Sequence, residues 1–177
     1  MDGASQRTKQ LHKQKAQVVK LVVAGLPRTG KTSFIKAISQ YTEWQAEEQM
    51  SWFFGRVRVD SSLLLHFLEP PPRTQYDFIW LQEMMSKLRA SGYIVLVDST
   101  KPQHFGQFLS ILYTVRGYHA EVPLVVAATK QDHPKAWHYQ DIQLGLGIRD
   151  FSVYPCVTMD RNSVRDVVVD ALHQILG

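Results

Sequence analysis

One cysteine, Cys156, in 177 residues leaves no partner for an internal disulfide, which excludes a disulfide-stapled scaffold and fits a reducing cytoplasm. Cysteine–histidine metal clusters are excluded with it, because the seven histidines are scattered and lack short paired spacing. Long apolar runs are also missing. The stretches "YIVLV" and "LVVAG" are far too short to cross a bilayer, and the polar N-terminus lacks the apolar core of a signal peptide. Met1-Asp2-Gly3 does not match the myristoylation pattern and Ile175-Leu176-Gly177 carries no prenylation cysteine, so no lipid anchor is expected. Together these absences predict a cytoplasmic location.

Charge of one sign is scarce as well. The net charge is +4, and its one concentration is "QRTKQLHKQK" at residues 6–15, which predicts a flexible basic arm over residues 1–16. Residues 17–177 have the size of a single domain, and 45% apolar with 20% charged residues is ordinary for a globular chain.

What is present alternates between buried strands and amphipathic helices. Val18, Val19, Leu21, Val22, Val23 and Ala24 form an apolar run closed by Gly25, the pattern of a strand covered on both faces. A helix is predicted from Lys31 to Tyr41, with Phe34, Ile35 and Ile38 inward. "MSWFFGRVRVDSSLLLHFLE" reads as a hairpin turning at Asp60-Ser61-Ser62. Phe78, Leu81, Met84, Met85 and Leu88 mark a helix, "YIVLVDST" a strand, residues 103–117 a helix, and "PLVVAAT" a strand. A short helix at Tyr139 to Leu144, the strand "SVYPCVT" and a helix from Asn162 follow. Repeated strand–helix units need right-handed crossovers. They predict an α/β fold, a mostly parallel six-stranded sheet with one antiparallel edge strand and helices on both faces.

"GLPRTGKT", Gly25 to Thr32, matches G-x-x-x-x-G-K-[ST] between a buried strand and a helix, the context a phosphate-binding P-loop requires. Gly25 and Gly30 let the backbone wrap closely, Leu26, Pro27, Arg28, Thr29 and Ser33 complete the cradle, Lys31 supplies a mobile charge, and Thr32 offers a hydroxyl to Mg2+. "TKQD" follows a later strand. The carboxylate of Asp132 can accept from the ring N–H and amino group of guanine, a donor pair adenine lacks, while Thr129 and Lys130 flank it and the Lys130 stem can lie along a base.

With both motifs in order, the chain resembles the Ras-like small GTPases over nearly its whole length, and within them the prokaryotic MglA-like, gliding-motility group. The segments "FGRVRVD", "YDFIW", "VLVDST", "KQDHPKAW" and "PCVTMDRNSV" carry the finer likeness. The resemblance implies the P-loop NTPase fold, Mg2+ and GTP/GDP. It places Val157, Thr158 and Met159 at the last base-contacting loop, where the group has Ser-Ala-Lys, so only backbone contacts to guanine survive there.

The same resemblance expects a D-x-x-G-Q loop after the second hairpin strand, and the chain has "EPPPR". Glu69 keeps an acid that supports Mg2+ through water. Pro72 replaces the glycine whose N–H meets the γ-phosphate, and Arg73 replaces the water-positioning glutamine. Three prolines also stiffen the segment. No threonine lies between Thr42 and the hairpin strand, leaving Ser51 as the nearest substitute metal ligand. Arg28 and Arg73 are the candidate catalytic residues, as arginines supplied in cis.

Trp52, Phe53 and Phe54 fall on the expected edge strand, and Tyr76, Ile79 and Trp80 lie off the core stripe of the next helix. The resemblance implies that such surfaces meet protein partners, with small Roadblock/LC7 proteins as one type. Nothing points to nucleic acid. The expected function is a guanine-nucleotide-binding regulatory protein with slow hydrolysis. A non-hydrolysing pseudo-GTPase acting as an interaction scaffold is the alternative, and a small-molecule phosphotransferase is disfavoured by "TKQD" and the lack of a basic lid.

Overall fold

The computed structural model describes residues 15–47, 50–71 and 86–177. The basic arm expected at residues 1–16 lies almost wholly outside them, as do Pro72, Arg73, Tyr76, Ile79 and Trp80. Seven strands form one sheet in the order β2-β3-β4-β1-β5-β6-β7. They are β1 (Gln17–Gly25), β2 (Tyr41–Glu47), β3 (Met50–Arg58), β4 (Leu63–Glu69), β5 (Gly92–Asp98), β6 (Leu124–Thr129) and β7 (Ser152–Pro155). The α-helices whose bounds fall within the described residues are α1 (Lys31–Ile38), α2 (Phe105–Tyr118), α3 (Tyr139–Gly145) and α4 (Arg161–Leu176), and residues 86–88 are helical as well. No helix among them is long and apolar enough to cross a membrane.

Side-chain alternation along the central strands divides the core in two. Val19, Leu21 and Val23 of β1 meet Phe34, Ile35 and Ile38 of α1 and Val164, Val167 and Val168 of α4. Val22 and Ala24 face the other way, toward Phe105, Phe108, Ile111 and Leu112 of α2 and Ile142 of α3. Such strands bury both faces, which is why their sequences are continuous apolar runs.

Two expectations are corrected here. The sheet has seven strands rather than six, because residues 41–47 pair antiparallel with β3, Trp44 opposite Phe53. The first helix accordingly ends at Ile38, with Ser39 extended, and Tyr41 already belongs to β2. In consequence β3, the strand that runs against the others, is interior and β2 is the edge. Trp52, Phe53 and Phe54 are therefore all buried, at 6%, 3% and 8% exposure, and the outlying aromatic is Trp44. Its ring lies 5.1 Å from that of Phe53, a cross-strand aromatic pair that stabilises the edge.

Gly55 explains how α1 seats against β3. A Cβ there would stand 2.3 Å from Ser39 Oγ and 2.4 Å from Ile35 Cγ2, so only a glycine permits this approach.

Candidate functional site

The strands β1, β4, β6 and β7 run parallel and finish on one rim of the sheet, where open α/β folds bind ligands. The loops that leave them enclose a groove of about 610 Å³. Arg28, Lys31 and Thr32 of the first loop line it, together with Glu69 at the end of β4 and Lys130, Asp132 and Thr158 from the loops after β6 and β7.

The loop over residues 25–32 is held by its own polar contacts. The Thr29 hydroxyl and the Lys31 ammonium both donate to the Leu26 carbonyl, each at 2.9 Å. Arg28 (φ 64) and Gly30 (φ 100) take left-handed backbone, and Gly30 opens α1, whose first turn directs backbone N–H groups outward. Burial pushes the Lys31 ammonium below its ordinary pKa, while the Glu69 carboxylate acts in the opposite direction. An anion in the groove would meet a lysine already stripped of much of its water.

Thr32 Oγ1 donates to Glu69 Oε2 at 2.7 Å, joining α1 to the end of β4. These are two hard oxygen donors on the groove, one of them an otherwise buried carboxylate, and that donor set fits Mg2+. Ser51 is not brought to it: it lies exposed on β3 opposite Ala46 and does not line the groove.

The part of the lining that follows β6 is built around Lys130, itself left-handed at φ 61. Its ammonium stands 2.5 Å from Asp98 Oδ2 at the end of β5. Asp98 Oδ1 accepts from the Thr100 amide at 2.9 Å and hydroxyl at 2.6 Å. Burial works to raise the Asp98 carboxyl, but the Lys130 and Thr100 hydrogen bonds together hold it below its ordinary value. Gln131 pins the same turn, donating to Ser99 Oγ at 2.7 Å and to the Trp137 carbonyl at 2.8 Å. Asp132 is left exposed on the groove, with no hydrogen bond to another described residue.

Not every expected residue faces the groove. Leu26, Pro27 and Thr29 face a separate cavity behind the loop, and Thr129 is fully buried with its hydroxyl on the Val97 carbonyl. Gly25 acts by lacking a side chain, since a Cβ would lie 2.7 Å from the Leu96 carbonyl oxygen. Ser33, Val157, Thr158 and Met159 all line the groove, but the Val157 N–H is already committed to Ser163 Oγ at 2.8 Å. Sequence reasoning missed His133 and Pro134, which complete the lining, and Asp98, which orients Lys130. Their only signal was position: two residues directly after "TKQD" and an acid ending a buried strand.

No protein-family model matches the chain, and no curated protein matches it by sequence. Among solved structures it is similar to the G domain of the T. maritima FeoB iron transporter, with a TM-score of 0.67. The match covers 89% of this chain and 99% of that one at 19% identity, a likeness of fold.

Proposed function

We propose that the chain is a Ras-like, guanine-nucleotide-binding regulatory protein that takes GTP and GDP with Mg2+ and hydrolyses GTP slowly. One observation carries this: the folding of the chain brings Lys31 and Thr32 of the phosphate loop and Asp132 of "TKQD" onto one groove. The resemblance to a G domain in fold supports the same reading.

In this reading the α1 N-terminus and the loop amides bind the phosphates, and Lys31 neutralises their charge. Thr32 and Glu69 would hold Mg2+, which when bound supplies further charge neutralisation. Asp132 accepts from the guanine ring and amino N–H groups, and the Lys130 stem, fixed by Asp98, lies along the base. Arg28 lines the groove and makes no polar contact with another described residue, so its guanidinium is available to phosphate oxygens. Slow hydrolysis follows from Pro72 and Arg73, which offer neither the amide nor the water-orienting group that the fast reaction uses.

A second reading, a pseudo-GTPase that holds nucleotide without switching, has its own support. Residues 41–47 are a paired strand and Ser51 lies off the groove, so neither contributes a hydroxyl to the metal position. A protein partner, of Roadblock/LC7 type by resemblance, belongs to either reading, but Trp52 is buried and does not anchor it.

The test is calorimetry with GDP and ATP on the protein and on Asp132→Ala, with the nucleotide released on denaturation identified beside it. GDP should bind far more tightly than ATP, and the variant should lose about 2 kcal/mol, roughly 30-fold, for GDP alone. Equal affinities for the two nucleotides, or an unchanged variant, would remove the base assignment.

A further inference from the structure

Behind the phosphate loop lies a second cavity, of about 200 Å³, whose chemistry differs from that of the groove. Leu26, Pro27, Leu96, Phe105 and Phe108 make its apolar walls, and Leu96 and Phe108 are fully buried parts of the core. Its rim is cationic. Arg28, Lys101 and Lys130 contribute three positive charges, with His104 beside them.

One acid, Asp98, also faces this cavity, but both of its oxygens are occupied by Lys130 and Thr100. The Arg28 and Lys101 side chains make no ion pair or hydrogen bond with another described residue, so the rim keeps a surplus of positive charge. An apolar floor under Arg28 and Lys101, two cations without a partner among the described residues, is complementary to a molecule with an apolar body and one negative end. The volume limits its size. Cavities of about 150 Å³ accept a single benzene ring, so about 200 Å³ suits one ring or a short alkyl chain plus a carboxylate.

We propose that this cavity is a second ligand site, for a small free carboxylic acid such as an aryl or short alkyl acid. Arg28 and Lys130 line both this cavity and the nucleotide groove. An anion bound behind the loop therefore draws on two cations that also face the groove, and the two ligands oppose each other. By reciprocity each weakens the other by the same factor. That coupling rests on the nucleotide reading above, whereas binding of the acid does not.

The experiment titrates benzoate into the protein as purified, following the 13C-methyl signals of Leu26, Leu96 and Val97, with benzyl alcohol as the neutral counterpart. Saturable shifts at those methyls are expected, with benzyl alcohol and the surface variant Lys101→Gln each binding about tenfold more weakly, the scale of one charge-assisted contact. Absence of saturation, shifts centred elsewhere, or equal affinity for benzoate and benzyl alcohol would overturn the site. Benzoate affinity unchanged in Lys101→Gln would also overturn it. Saturating benzoate should then weaken GDP binding several-fold, and an unchanged GDP affinity would overturn the coupling. Failure of GDP to bind at all would sink the nucleotide reading, while the methyl titration still decides the acid site.

Discussion

Thr158 packs directly on Gly30: a Cβ on that glycine would stand 2.8 Å from the threonine hydroxyl and 3.0 Å from its methyl. The loop over residues 25–32 and the loop after β7 therefore touch at a point where no side chain fits on residue 30.

Gly30→Ala should accordingly lose stability for two separable reasons. The left-handed backbone at φ 100 costs a side chain roughly 1–3 kcal/mol, and the clash with Thr158 adds to it. Thermal melts of Gly30→Ala alone and combined with Thr158→Ala separate them. The second change should restore part of the loss and not all of it, and no restoration would mean that the contact with Thr158 is unimportant.

Acid should weaken the Lys130 wall. The Asp98 carboxyl is held below its ordinary value, so its contribution is complete above the unfolded pKa of about 3.9 and is lost as pH falls through the lower folded value. Asp98→Asn keeps the acceptor for Thr100 but not the charge facing Lys130. Near neutral pH it should cost about 1 kcal/mol, a modest figure because the Lys130 side chain is 37% exposed. Urea melts from pH 7 to pH 2.5 should show the difference between the two proteins closing below about pH 4. A gap independent of pH would contradict this assignment.

Cys156 should be inert in the native protein. Burial, reinforced by the charge of Asp160 and only partly offset by a hydrogen bond with Ser163, pushes its thiol up to about 12. At pH 8 the thiolate fraction, and with it alkylation by iodoacetamide, should be on the order of 1,000-fold below that of a free thiol of ordinary pKa. Mass spectrometry should find full labelling only in denaturant. Rapid native labelling would show that the segment burying Cys156 at the end of β7 opens readily.

Hydrolysis should separate from binding. Single-turnover GTP cleavage in the natural protein should be on the order of 100-fold or more slower than in Pro72→Gly/Arg73→Gln, which restores an amide donor and a water-orienting side chain. Both proteins must first be shown to carry nucleotide. Brisk cleavage by the natural protein would redirect attention to Arg28, the arginine already on the groove.

The turn at "GLPRTGKT" was legible in the sequence because Gly25 and Gly30 mark where the backbone takes positive φ between a strand and a helix, whereas the left-handed turn in "TKQD" falls on Lys130, which no glycine marks. Strand β2 was not. In "YTEWQAE" only Trp44 and Ala46 alternate with the polar Glu43, Gln45 and Glu47, too short a pattern to announce a strand, and its strand state comes from pairing with β3, a tertiary fact. Missing it made β3 the apparent edge and exposed Trp52 on paper. The support that Asp98 gives Lys130 was hidden for a similar reason, since the two residues are 32 positions apart and meet only because β5 and β6 are neighbours.

The order of the strands also bears on how the chain reaches this structure. β2, β3 and β4 follow one another in sequence and lie side by side, so each pairing closes only a short loop. β1 instead must find Leu63 opposite Gln17 and Gly92 opposite Leu21, contacts distant along the chain. The meander is thus the half of the sheet built from contacts local in sequence, and the parallel half is built from contacts distant along the chain. A groove held together by contacts so distant in sequence is one that a ligand binding only the folded state stabilises as a unit.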